Sequence, residues 1–178
     1  MKLLYLIIII GILSLPFVLI FGNALKVSFD DSAELSLYLR YGEGDISMFS
    51  EEEQEHLAEV KDFIHIIFIV FVIALLVFIF SLIYLREKSG LVLAAGGILT
   101  LVALFVIYIL SKNWDSAFTS FHQVFFKTQW QFAEGSLLIK MFPESVFYNG
   151  FKKIVVNSLL SAIGCIVLGL FMIKELRS

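Results

Sequence analysis

Only one cysteine stands among the 178 residues, Cys165, and it falls inside a long apolar run. An internal disulfide is therefore excluded, no cysteine-based metal spacing exists, and a small apolar filler role is expected for it. A nucleophile elbow of the G-x-S-x-G type is absent, as is H-E-x-x-H, which removes the best-marked serine-hydrolase and zinc-peptidase chemistries. Basic surface is lacking too. The chain has 13 lysine and arginine residues against 16 aspartate and glutamate, a formal net charge of -3, and nothing resembles a cationic nucleic-acid face. A soluble composition is also missing: 60% of residues are hydrophobic and the mean hydropathy is +0.94.

What is abundant is apolar length. Four runs, Leu3 to Phe21, Phe63 to Leu85, Leu91 to Leu110 and Ile154 to Ile173, contain no charged residue. About 20 apolar residues carry a helix across the hydrocarbon core, so spans are expected at about 3–22, 63–85, 91–111 and 152–173. The fold class that follows is an all-α membrane protein: four transmembrane helices with a small extracytoplasmic helical cap at the membrane interface. A single membrane domain is expected over 1–178, with cap segments 23–62 and 112–151 and a cytoplasmic turn at 86–90. The first run is longer than a typical signal-peptide core and no A-x-A-like site follows it, so an uncleaved anchor is expected. Pro16 within it removes one backbone donor and should bend the helix.

Four spans put both termini on one side. Lys2, Arg86, Lys88, Lys174 and Arg177 flank that side against Glu87 and Glu175, which makes it cytoplasmic by the positive-inside rule. Lys152 and Lys153 oppose this assignment, and snorkelling toward headgroups or substrate accommodates them. The acids are segregated: residues 23–62 hold eleven acids and three bases, whereas 112–151 is neutral. In a bacterial cell the cap then faces outward from the plasma membrane. Membrane lipids are its expected neighbours, nucleic acid is not, and the chain is expected to be a monomer.

Within the two cap segments stand His56, on an acidic stretch, and His122, on an aromatic one. Histidine is the side chain best suited to move protons near neutral pH. Ser50 followed by Glu53 is a capping box, which predicts a helix running through Leu57, Val60 and Lys61 into the second span. On it His56 shares a face with Glu52, Glu59, Val60 and Phe63. His65 lies nine residues on, about half a turn round, and is expected to hydrogen-bond at the membrane interface instead. From Asn113 to Phe151 eleven of 39 residues are aromatic. Trp114, Phe118, Phe121, His122, Phe125, Phe126 and Trp130 recur every three or four positions, which predicts a helix along the membrane surface or under the cap, with His122 on its apolar side. An aromatic belt at headgroup depth explains part of this pattern, but not the histidine set within it. Pro143 suits the first turn of the next helix, leaving Leu137 to Phe142 as a break and a pocket wall. Asn157, costly in lipid unless paired, should face the bundle or a substrate tail.

Several chemistries remain open. A zinc site from His56, His122 and a glutamate such as Glu59 is one, although neither a metal nor another cofactor is expected. Acid–base catalysis at the lipid interface is favoured, one histidine accepting a proton while the other donates one or stabilises charge. Intramolecular acyl transfer suits a small apolar protein, because attacking group and ester are already tethered. An interfacial lipid hydrolase, an intermolecular acyltransferase and a non-enzymatic membrane assembly or sensor subunit are the alternatives.

Three motifs then bear on the choice: E-E-x-x-H-L-x-E-V-K at Glu52–Lys61, F-H-x-x-F-F at Phe121–Phe126, and W…L-x-x-x-F-P from Trp130 to Pro143. In this order they resemble the lipoprotein intramolecular transacylases, Lit, small bacterial integral membrane proteins, and the resemblance covers essentially the whole chain. It implies an acyltransferase acting on diacylglyceryl-modified bacterial lipoproteins, which moves the sn-2 acyl chain to the N-terminal α-amine of the same molecule. His56 and His122 are the catalytic candidates. Glu52, Glu59, Lys61, Phe121, Phe125, Phe126, Gln129, Trp130 and Phe142 are candidates to bind substrate or support the pair. His122 is expected to be the base, because apolar surroundings favour the neutral ring, and His56 the acid, because nearby carboxylates favour the protonated one. Glu52 or Glu59 would orient His56, while Gln129, Trp130 and Lys61 would position the lipid–peptide junction.

Overall fold

The computed structural model describes residues 2–26 and 33–175; Arg177, counted above among the cytoplasmic cations, lies outside them. In chain order the helices are α1 (Lys2–Ala24), α2 (Ala33–Tyr41), α3 (Glu51–Tyr84), α4 (Ser89–Leu110), α5 (Trp114–Phe125), α6 (Leu137–Met141) and α7 (Glu144–Glu175). A 3-10 turn at Arg86–Lys88 joins α3 to α4. α1, α3, α4 and α7 are long and apolar enough to cross a membrane, and the protein is an all-α membrane protein. α1 continues through Pro16, which is buried. α3 starts as its capping box requires: the Glu53 amide donates to Ser50 Oγ at 3.3 Å and the Ser50 amide to Glu53 Oε2 at 2.9 Å. It then passes without interruption from the acidic cap into the apolar run, so cap and span share one rigid element.

Helices in lipid associate through close packing and polar contacts, since lipid tails are as apolar as the side chains they replace. α4 packs most extensively on α7, and α1 lies against α3, α4 and α7. Small residues permit this. A Cβ at Gly97 would stand 2.8 Å from the Ala162 carbonyl oxygen, and one at Gly169 would stand 2.6 Å from the Ala94 amide nitrogen. Cys165 is a free thiol packed beside the core of Leu15, Phe78 and Val92. Where α1 meets α7, Asn23 Nδ2 donates to the Leu19 carbonyl at 2.8 Å and to Ser158 Oγ at 3.2 Å. Of the two surroundings expected for Asn157, it does not take the bundle: Asn157 is exposed, while Ser158 is wholly buried. One residue's advance turns a helix by more than a quarter revolution, enough to exchange the two.

A second core builds the cap. Leu35 and Leu39 of α2, Phe49, Leu57 of α3, Leu138 of α6 and Phe142 are buried together, with Val60, Phe132 and Phe147 against them. α2 is tied to α3 by His65 Nε2, which donates to the Arg40 carbonyl at 3.1 Å, and by Lys61 Nζ, 5.1 Å above the Tyr38 ring. Gly44 in the intervening turn has a φ of 132°, and the Glu34 carbonyl occupies the place a Cβ would need. Two cap elements differ from expectation. Leu137–Met141 is a short helix rather than a break, because Ser136 Oγ accepts from the Ile139 amide at 3.2 Å and caps it. α5 ends at Phe125, and Phe126 is extended with φ -121° and ψ 141°, so Trp130 lies beyond the helix that its spacing suggested.

Candidate active site

α3 carries His56 and α5 carries His122, and the fold stacks the two rings at 6.0 Å between centroids, tilted by 25°. Both are buried, at 6% and 7% exposure. Aromatic side chains enclose them. Phe126 stands 5.0 Å from His56 and 5.3 Å from His122. Phe132 is 5.7 Å from His56, Trp130 is 4.8 Å from His122 and Phe118 is 4.2 Å from His122. Phe121 and Phe125 pack on Phe63 at 5.4 and 4.9 Å and remain exposed, forming the open flank of the site. At the other end of α5, Trp114 rests on Tyr148 and Phe151 of α7.

The hydrogen bonds distinguish the two rings. His122 Nδ1 lies 2.8 Å from the Phe118 carbonyl. A carbonyl only accepts, so Nδ1 holds the proton and the neutral ring presents a bare lone pair at Nε2. Among the described residues His56 Nδ1 has no hydrogen-bond partner, although it is buried, a costly condition that a ligand atom would relieve. Burial pushes the His56 pKa down to about 4, repulsion from His122 adds to this, and Glu59 opposes it. Burial lowers His122 as well, against the bond to Phe118. Both rings are therefore neutral near pH 7. The expectation that carboxylates keep His56 protonated fails, since desolvation outweighs the attraction of Glu59.

The Glu59 oxygens are aimed elsewhere. They accept from the Lys127 amide at 3.0 and 3.2 Å, the Thr128 amide at 3.1 Å and Thr128 Oγ1 at 2.7 Å. Burial would raise this carboxyl, but the bonds from Thr128 and Lys127 and the nearby His56 bring it below the usual carboxylate range. Glu53, whose place in the capping box the sequence predicts, is a second such acceptor. Its Oε1 takes the Leu138 amide at 2.8 Å, and although burial raises its pKa, the bonds from Leu138, Ser50 and Ser136 lower it further. The signal for it was present: Glu53 precedes His56 by the same three residues by which Glu59 follows it.

Other candidates fall outside the ring enclosure. Glu52 is exposed. Lys61 faces Tyr38 on the α2 side of α3. Gln129 is exposed and donates to the Gln131 carbonyl at 3.0 Å. Phe142 belongs to the cap core, 6.4 Å from Phe147. Phe118, Phe132 and Phe63 join the site instead, Phe132 through a connector whose path the spacing of aromatics does not foretell. Among the described residues no group of three or more histidine, cysteine, aspartate or glutamate side chains is placed to hold a metal ion.

A family model described as lipoprotein intramolecular transacylase Lit matches residues 23–147, a stretch that includes both histidines and the enclosing rings. The fold is similar to the in meso structure of the membrane integral lipoprotein intramolecular transacylase Lit from Bacillus cereus. That likeness has a TM-score of 0.88 at 21% identity and covers 99% of this chain and 98% of that one. A variant of the same protein with one histidine replaced by alanine gives a TM-score of 0.83 at 19% identity, covering 99% and 96%. An uncharacterized protein of Aquifex aeolicus (strain VF5) is 27% identical over 130 residues, which are 72% of this chain and 60% of that protein. The chain thus spans about 60% of the length of that curated relative.

Proposed function

Because the chain belongs to the lipoprotein intramolecular transacylase Lit family, we propose that it moves the sn-2 acyl chain of a diacylglyceryl-cysteine lipoprotein to the α-amine of the same cysteine. The amide C–N bond forms, the ester C–O bond breaks, and the amine proton ends on the sn-2 oxygen. The product is a lyso-form N-acyl lipoprotein, and no water is consumed. The amine nitrogen, Cα, Cβ, sulfur, two glyceryl carbons, the ester oxygen and the acyl carbon close a medium-sized ring. Such a ring is entropically awkward in solution, and an aromatic enclosure contributes by holding the chain folded back on itself.

The observation that carries this reading is two buried histidine rings stacked together, one held with its Nε2 lone pair bare and the other with its Nδ1 unpartnered among the described residues. His122 takes the amine proton at Nε2 while its Nδ1–H stays on the Phe118 carbonyl, and it returns the proton to the departing sn-2 oxygen. His56 remains neutral and donates its ring N–H to the developing oxyanion. Phe126, Trp130 and Phe132 keep water from the tetrahedral centre, which favours transfer over hydrolysis. The placement of basic residues at the other ends of the spans supports a cap on the extracytoplasmic side.

The test is a purified preparation given a lipoprotein labelled on its sn-2 chain. Label recovered as an amide on the same molecule is the expected result. Free fatty acid, or label on a second acceptor, would replace this reading with a hydrolase or an intermolecular acyltransferase. His56→Ala and His122→Ala are each expected to slow transfer by about 10²- to 10⁴-fold.

A further inference from the structure

We infer that Glu53 and Glu59 are a pair of positioning residues that hold the 126–136 connector as a wall across the histidine pair. The inference rests on the transacylase reading above for its effect on rate, and on geometry alone for the tie itself. The connector runs from the end of α5 to the start of α6, and amides outside regular structure, or in a helix's first turn as Leu138 is, have no intrahelical acceptor. α3 supplies them on both sides of His56. Glu59 takes both amides and the hydroxyl of Lys127–Thr128, and Glu53 takes the amide of Leu138. The three side chains sit within two turns of α3. The connector between the two ties carries Trp130, tilted against His122, and Phe132, against His56. Phe126, adjoining Glu59's tie, touches both rings.

Only an ionised carboxylate meets this demand. It is acceptor-only and has two oxygens, so Glu59 can answer three donors at once, whereas an amide would set its own N–H₂ against a backbone N–H. The wall determines where the acyl carbonyl comes to rest between the two rings. A displacement of about 1 Å at such a wall costs on the order of 100-fold in rate. Neither carboxylate needs to touch substrate for this effect.

The chain holds two tryptophans, so a Trp114→Phe background leaves Trp130 as the reporter of the wall. In that background Glu59→Gln is expected to lower kcat by about 10- to 100-fold with a smaller change in KM. Trp130 emission should shift to the red and become more open to iodide quenching, while the unfolding temperature is largely kept. Thr128→Val, which removes one donor without changing shape, should give an intermediate emission and an intermediate rate. A fall in kcat with Trp130 emission unchanged would overturn the inference, because Glu59 would then act on His56 directly. A red shift with full activity would overturn it too. If Glu59→Gln does not fold, Thr128→Val decides between the same outcomes. If the parent chain transfers no acyl group, the transacylase reading falls separately; Trp130 emission in the variants still tests the tie, and an unshifted spectrum rejects it.

Discussion

An uncharged histidine pair behaves differently from an imidazole facing an imidazolium. Burial holds both pKa values down, His56 to about 4, against an unfolded value of about 6.5. The unfolded chain therefore binds more protons below that value. The stability these rings contribute is complete above about pH 6.5 and is lost as pH falls toward about 4. The unfolding temperature should drop across that window, and His56→Gln should flatten the drop; an unchanged slope would mean that His56 is not held neutral. The kcat profile is expected to keep its acid limb below about pH 6.5 and to show no alkaline limb between about 6 and 8, because His56 acts as a neutral donor. An alkaline limb there would restore the imidazolium acid. At this scale the pair of histidines was legible, since helix phase alone separates His65 from His56. The tautomer was not, because it depends on where the Phe118 carbonyl points.

α3 is the element that joins the candidate site to an apolar span. Its capping box satisfies two backbone donors at the mouth of the cap, and Glu53 serves the box and the Leu138 amide with different oxygens. Ser50→Ala should cost about 1 kcal/mol. Faster amide exchange is expected at the first turn of α3 and at Leu138, with the apolar part of the helix still protected. Exchange confined to the first turn would show that the cap and the connector are not coupled through Glu53. The capping box and the continuity of α3 could be read directly, being local. The end of α5 could not. Phe126 and Trp130 prolong its three-to-four spacing, but the Lys127 and Thr128 amides meet Glu59 from a distant part of the chain and leave the helical path. The aromatic rhythm there serves ring contacts with the histidines.

Across the whole molecule, the position of the cap depends on how α4 and α7 meet. Gly97 and Gly169 bring the two backbones into contact, and Trp114, just past α4, rests on Tyr148 and Phe151 of α7. Gly97→Leu forces carbons into the Ala162 carbonyl and should cost about 1–3 kcal/mol, read as a lower unfolding temperature in detergent. Transfer should fall as well, because α5 reaches the site from that anchor. Full activity in a destabilised Gly97→Leu protein would show that the cap is oriented by α3 alone.

The sequence by itself determined the four apolar spans and the helix start at Ser50, and it pointed to His56 and His122 as the candidate pair, with His65 on another face of α3. These are properties of length, local capping and phase, all readable along one dimension. Tertiary structure alone decided that Ser158 rather than Asn157 meets Asn23, that Glu53 and Glu59 grip the connector while Glu52 stays exposed, and that burial leaves both histidines neutral. Each of those outcomes depends on which atom a distant segment presents and on how much water the packing removes. Neither quantity exists until the helices have met.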